Sequence, residues 1–120
     1  MAFLSYFFAV IMIVSGIAHF AVPSVYEPLI PDWFWKDAAN YTVAVIELLI
    51  GVLLIAKKTR TLGGIGFTLL MIGFLPLHIW DVTRENPMIQ PAAAGYIRIV
   101  IQFVLIYLGF RIWKKYKSVA

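Results

Sequence analysis

The sequence predicts an all-α fold, an integral membrane four-helix bundle with both termini in the cytoplasm. Three observations carry that prediction. Apolar residues make up 62% of the chain and charged residues only 13%, with a mean hydropathy of +0.90, well beyond the averages of soluble domains. Four apolar runs of spanning length follow one another, each closed by proline or charge. Basic residues gather at alternate connections. At 120 residues the chain accommodates four spans of about 20 residues with short connections, so residues 1–120 are read as a single transmembrane domain.

The first span is expected at about residues 2–22, ahead of Pro23, Glu27, Pro28, Pro31 and Asp32. No Lys or Arg precedes it, so it lacks the basic start of a cleaved leader and reads as a retained helix. The second span is placed at about 38–56, ending in a basic turn with Lys57, Lys58 and Arg60. The third, at about 62–80, carries Gly63, Gly64, Gly66 and Gly73, which permit close helix contact, and Pro76, which is expected to bend its last turns. A polar connection at 81–91 leads to the fourth span at about 92–113, followed by Lys114, Lys115 and Lys117.

These charges set the orientation. The turn between the second and third spans and the C-terminal end are basic, while the other two connections are acidic on balance (Glu27, Asp32 and Asp37 against Lys36; Asp81 and Glu85 against Arg84). By the positive-inside rule the basic turn and both termini lie in the cytoplasm, and the chain is read as a protein of the bacterial inner membrane. The net charge of +4 belongs to residues beside span ends, where it meets anionic headgroups of the lipid bilayer, so nucleic acid is not expected as a partner. Cysteine is absent, which excludes disulfides, thiolate nucleophiles, thioether-attached haem and cysteine-ligated metal centres. The first outer connection is rich in aromatic rings. Tyr26, Trp33 and Trp35, with Phe34, read either as an interfacial belt or as a lid over an outward-facing pocket.

Ionisable groups inside hydrocarbon are costly and need partners or a cavity. His19, Glu47, His78 and Arg98 each interrupt a different span, and Gln102 follows Arg98 by one helical turn. Helical spacing gives every span one polar or small-residue seam: Met12, Ser15 and His19; Asn40, Ala44, Glu47 and Gly51; Gly64, Thr68, Met71, Leu75 and His78; Ala94, Arg98, Gln102, Leu105 and Gly109. Such seams face other helices. A rise of about 1.5 Å per residue places His19 and His78 within about 5 Å of the outer boundary, Arg98 near about 9 Å and Glu47 near about 12 Å. All fall in the outer half of the membrane. Glu47 and Arg98 are either a buried ion pair that fixes helix register or members of a site. Two histidines and a glutamate are metal-ligand types, but the depth difference between His78 and Glu47 argues against shared ligation, and no metal is expected. Ser15 and Thr68 read as packing residues, since no base is positioned to activate either. No residue is assigned as catalytic.

The string Gly16-Ile17-Ala18-His19-Phe20 is followed by Pro23, Tyr26, Ile30 and Pro31. With Glu47 and Gly51 in Glu-Leu-Leu-Ile-Gly-Val-Leu-Leu, Leu75-Pro76-Leu77-His78-Ile79, and Arg98 with Gln102, it resembles DoxX-like membrane proteins over nearly the whole chain. It departs from them before Glu47, where Val43 and Val45 stand in place of a glycine. The resemblance implies a four-helix membrane bundle. Relatives are linked to a quinone-reducing thiosulfate oxidoreductase, to methylamine utilisation and to oxidative-stress complexes, which implies redox work near quinone with a partner protein.

The function expected from both lines is a polar intramembrane pocket, open to the outside, that binds a small amphipathic ligand such as a quinone, in an accessory subunit whose electrons come from a redox partner. Arg98 and Gln102 would bond an oxygen of the ligand, Glu47 would take a proton, and a histidine would pass it outward. Three other readings stay open: a proton-coupled small-molecule transporter, a structural or assembly subunit, self-associating or not, without chemistry of its own, and an acid–base enzyme acting on a lipid-like substrate.

Overall fold

The computed structural model describes residues 2–30, 33, 35–84 and 92–117. Four helices follow in order: α1 (Ala2–Ala21), α2 (Lys36–Ile55), α3 (Arg60–Thr83) and α4 (Ala92–Tyr116). Each is long and apolar enough to cross a membrane. The long axis of 46 Å is comparable to a bilayer with its headgroup regions. Two single-turn 3₁₀ segments, Pro23–Val25 and Glu27–Leu29, form the corner after α1, and a third, Lys57–Thr59, joins α2 to α3. The end of the bundle carrying Lys57, Lys58 and the C-terminus is called the basic end below, and the opposite one the loop end.

The helices pair as two hairpins. α1 lies along α2 and α3 along α4, and the hairpins meet chiefly through α2 and α3. Missing side chains allow these close approaches. A Cβ on Gly64 would stand 2.7 Å from the backbone nitrogen of Trp113, and one on Gly109 would stand 2.6 Å from Thr68 Oγ1, so α3 and α4 touch almost backbone to backbone. The Thr68 hydroxyl is turned back to donate to Gly64 O at 2.7 Å, which leaves no unmet polar atom in the contact.

The basic half is a solid plug. Phe8 stacks on Phe67 with centroids 4.5 Å apart, and Met12, Ile50, Leu54, Met71, Ile112 and Tyr116 fill the space around them. Arg60 locks this half. It is expected from the sequence to belong to a basic turn but is the first residue of α3 and is buried. Its guanidinium donates to Leu54 O at 3.0 Å and Ile55 O at 2.8 Å, two carbonyls that α2 leaves unpaired at its C-terminus. It also lies over the rings of Tyr6 and Tyr116, which ties α1 and α4 to the same point.

At the loop end α3 continues through Pro76 and past its expected end at residue 80, to Thr83. The expected polar connection therefore begins later. Asp81 is buried on the last turn and accepts from Arg84 at 2.8 Å, while that guanidinium stacks over Trp80. The local pair offsets the charge that made Asp81 read as a loop residue. Residues 85–91 of that connection, and Pro31, Asp32 and Phe34 of the first, lie outside the described residues.

The packing distinguishes two glycines on one helix, because a Cβ on Gly73 would meet nothing within 4 Å. Gly64→Ala is expected to destabilise the detergent-solubilised protein by about 1–3 kcal/mol through overpacking, and Gly73→Ala to be neutral or mildly stabilising. Paired thermal unfolding of the two variants checks this.

Candidate functional site

Above the plug the hairpins part around a cavity of about 800 Å³ walled by all four helices. Each of the five polar residues singled out from the sequence, His19, Glu47, His78, Arg98 and Gln102, contributes to that wall. Their surroundings divide into two halves, one from each hairpin.

On the first hairpin, Asn40 and Glu47 lie seven residues apart on one face of α2, opposite the last turn of α1. Asn40 Nδ2 donates to the backbone carbonyl of His19 at 2.8 Å, one of the carbonyls that α1 leaves open at its end. That bond fixes which end of the amide is oxygen. Asn40 Oδ1 then faces His19 Nδ1 at 2.6 Å, and because the oxygen can only accept, Nδ1 must carry a proton. The remaining ring nitrogen, Nε2, lies 3.3 Å from Glu47 Oε1. A bare nitrogen facing a bare carboxylate would repel it, so a proton occupies this gap, on His19 or on Glu47. Tyr26 stacks on the imidazole with centroids 3.7 Å apart and covers it from the loop side. The second carboxyl oxygen, Glu47 Oε2, is buried without a hydrogen-bond partner, and the Ser15 hydroxyl lies beside the carboxyl.

Of the two alternatives for Glu47, the ion pair with Arg98 does not form, and the partner of Glu47 is His19. Their side chains bridge the difference in backbone depth. Asn40 was legible as a member of the α2 seam, but its part in fixing the histidine was not.

On the second hairpin, His78 is buried and its Nδ1 has no partner. Arg98 and Asp81 lie within electrostatic range of its ring with opposite charges. Gln102 is also turned differently from expectation. Its Nε2 donates to Met71 O at 2.8 Å and to Met71 Sδ at 3.4 Å, so both amide hydrogens are used inside the bundle and the carbonyl oxygen is the end left for a ligand. Arg98 is exposed and supplies donors on this wall. Two of the three lid residues, Tyr26 and Trp33, line the cavity; Trp35 lies outside its wall and is 82% exposed. Trp80 is a wall residue that sequence spacing did not single out. Among the described residues no three histidine or carboxylate side chains gather in a way that could hold a metal ion.

The chemistry on offer is therefore a proton held between His19 and Glu47, a free carboxyl oxygen, an amide carbonyl and a guanidinium around an apolar space. In ¹⁵N spectra of histidine-labelled protein in bilayers, His19 is expected to keep a protonated Nδ1, and Asn40→Leu to lose that signature along with about 1–3 kcal/mol of stability for each buried group left unpaired. A deprotonated Nδ1 in the wild type would contradict the assignment.

No curated protein and no solved structure matches the chain. The family described as Domain of unknown function (DUF8561) matches residues 8–113, a stretch that holds every one of these polar wall residues, and the chain belongs to that family.

Proposed function

We propose that this chain is an integral membrane protein, with its loop end facing outward, that binds a small amphipathic molecule bearing oxygen groups, of the quinone and quinol class, and exchanges protons with it. The carrying observation is the convergence of His19, Asn40, Glu47, His78, Arg98 and Gln102, contributed by all four helices, on one largely apolar cavity. Apolar pockets with a few convergent polar groups are the usual form of small-molecule sites.

The polar groups match the two forms of such a ligand. A quinol hydroxyl has acceptors in Glu47 Oε2 and the Gln102 carbonyl; a quinone carbonyl has a donor in Arg98 and in the proton held between Glu47 and His19. Reduction of a quinone consumes two electrons and two protons. The electrons come from a redox partner protein, and the chain's own residues hold and pass protons. The resemblance to DoxX-like proteins supports the same class of ligand. The excess of basic residues at the opposite end favours a cytoplasmic placement for that end, which would suit the inner membrane of a bacterium. The packed plug around Phe8 and Phe67 favours binding over conduction, since it closes the cavity toward the basic end.

Trp33 and Trp80 line the cavity, so a bound quinone should quench their fluorescence. Titration with a decyl-tailed benzoquinone is expected to show saturable quenching, weakened about ten- to a hundredfold in Glu47→Gln and in Arg98→Met through loss of a charge-assisted bond. Unchanged affinity in folded variants would refute the proposal.

A further inference from the structure

We propose that the cavity opens sideways, between α1 and α4, so that its ligand enters from the hydrocarbon of the bilayer and keeps an apolar chain in that opening. The proposal rests on the ligand-binding reading above and adds to it the route of entry and the shape of the ligand.

The helix pairing leaves this side open. α1 packs on α2, α3 on α4, and α2 on α3, whereas α1 and α4 do not lie along one another. Ile11 and Ile101 stand on the two facing flanks. Ile11 is on the side of α1 away from the Ala9, Ile13 and Gly16 contacts with α2, and Ile101 is a residue away from Gln102, on the side of α4 turned from α3. Both line the cavity, and both are substantially exposed, at 40% and 45%. A residue in both classes marks a rim. Trp33 and Arg98 at the loop end and Pro76 on α3 also belong to both, and Ile11 and Ile101 are the apolar pair that flanks the α1–α4 gap.

The loop end differs from this apolar rim in character. Tyr26 lies on the His19 ring, Trp33 lines the cavity, and the turn Glu27–Leu29 crosses from the first hairpin to touch α3. An apolar chain meets apolar side chains between α1 and α4, whereas at the loop end it meets the Tyr26–His19 stack and the Arg98 guanidinium. Depth fixes how such a molecule would lie. Ile11 and Ile101 are nine to ten residues in from the loop-end termini of their helices, so the rim sits about 14–15 Å down, near the middle of a hydrocarbon core of about 30 Å. The polar groups His19, Asn40 and Arg98 lie above it, and Glu47 and Gln102, eleven and ten residues in from Lys36 and Ala92, lie about level with it. A molecule with its oxygens at or above the rim and its chain leaving through it has the orientation of a lipid in the same leaflet and needs no reversal to enter.

The chain contains no cysteine, so Ile11→Cys/Ile101→Cys places two unique thiols across the rim. A direct disulfide needs Cβ atoms about 4 Å apart and is not expected to form, while a longer bis-methanethiosulfonate reagent is expected to bridge the two thiols within one chain. Bridging should weaken binding of the decyl-tailed benzoquinone at least about tenfold, leave tail-less benzoquinone unchanged, and be reversed by reduction. Three results would overturn the opening: a direct disulfide within one chain, bridging that yields only dimers because a second copy covers the gap, or equal effects on both probes. Binding of neither probe by the unbridged protein would instead overturn the ligand-binding reading, and the thiol geometry alone would still decide whether the opening exists.

Discussion

A carboxyl group placed halfway along an apolar helix has few tolerable neighbours, and the loop half of this protein is organised by that constraint. Glu47 is almost fully buried, and the cost of burying it falls only if a proton or a cation meets it. His19 meets it on one oxygen. The imidazole can do so only because Asn40 holds its far nitrogen, and Asn40 is itself held by the open carbonyl of His19 in the last turn of α1. One residue thus closes a helix end, sets the tautomer of a histidine and fixes the register of α1 on α2. Tyr26 completes the enclosure by stacking on the same ring, which ties the loop corner to the buried pair.

The two halves of the bundle serve different ends, and the division follows from where small and large residues fall. Toward the basic end, glycines at the hairpin contacts and the cap made by Arg60 hold the helices close around stacked aromatic rings. Toward the loop end the two hairpins part around the cavity, while α1 and α2 stay close through Gly16 against Ala44 and Leu48 and through His19 and Asn40. The plug supplies the packing that lets the other half remain hollow. Buried polar atoms without partners occur in both halves, Ser5 Oγ toward the basic end and Glu47 Oε2 and His78 Nδ1 at the cavity, and only the latter two are within a ligand's reach. Groups left in that state are expensive, and a ligand that bonds them offsets the expense.

Much of this was legible in the residues. The four helices follow from hydropathy and from the prolines and charges between the runs, and the placement of His19, Glu47, His78, Arg98 and Gln102 on one cavity follows from one seam per helix. What failed has a common cause, which is that backbone position does not determine where a long side chain ends. An ion pair of Glu47 with Arg98 was one of the alternatives open from the sequence, yet the carboxyl meets His19. Arg60 and Asp81 read as solvated turn residues because they are charged, and both are buried because a carbonyl pair or a neighbouring arginine satisfies them locally. Trp33 and Trp35 are alike in sequence and both are 82% exposed, and only the fold of the corner brings the first of them to the cavity wall.

The central claim is that this cavity is a ligand site built on Glu47 and His19 rather than an incidental void. The most direct test is native mass spectrometry, with extraction of lipids and quinones, on protein taken from its own membranes in mild detergent, comparing the wild type with a folded Glu47→Gln variant. A stoichiometric small molecule retained by the wild type and lost from the variant is the predicted result. Bulk phospholipid alone in both would contradict the account and leave the polar wall a structural network.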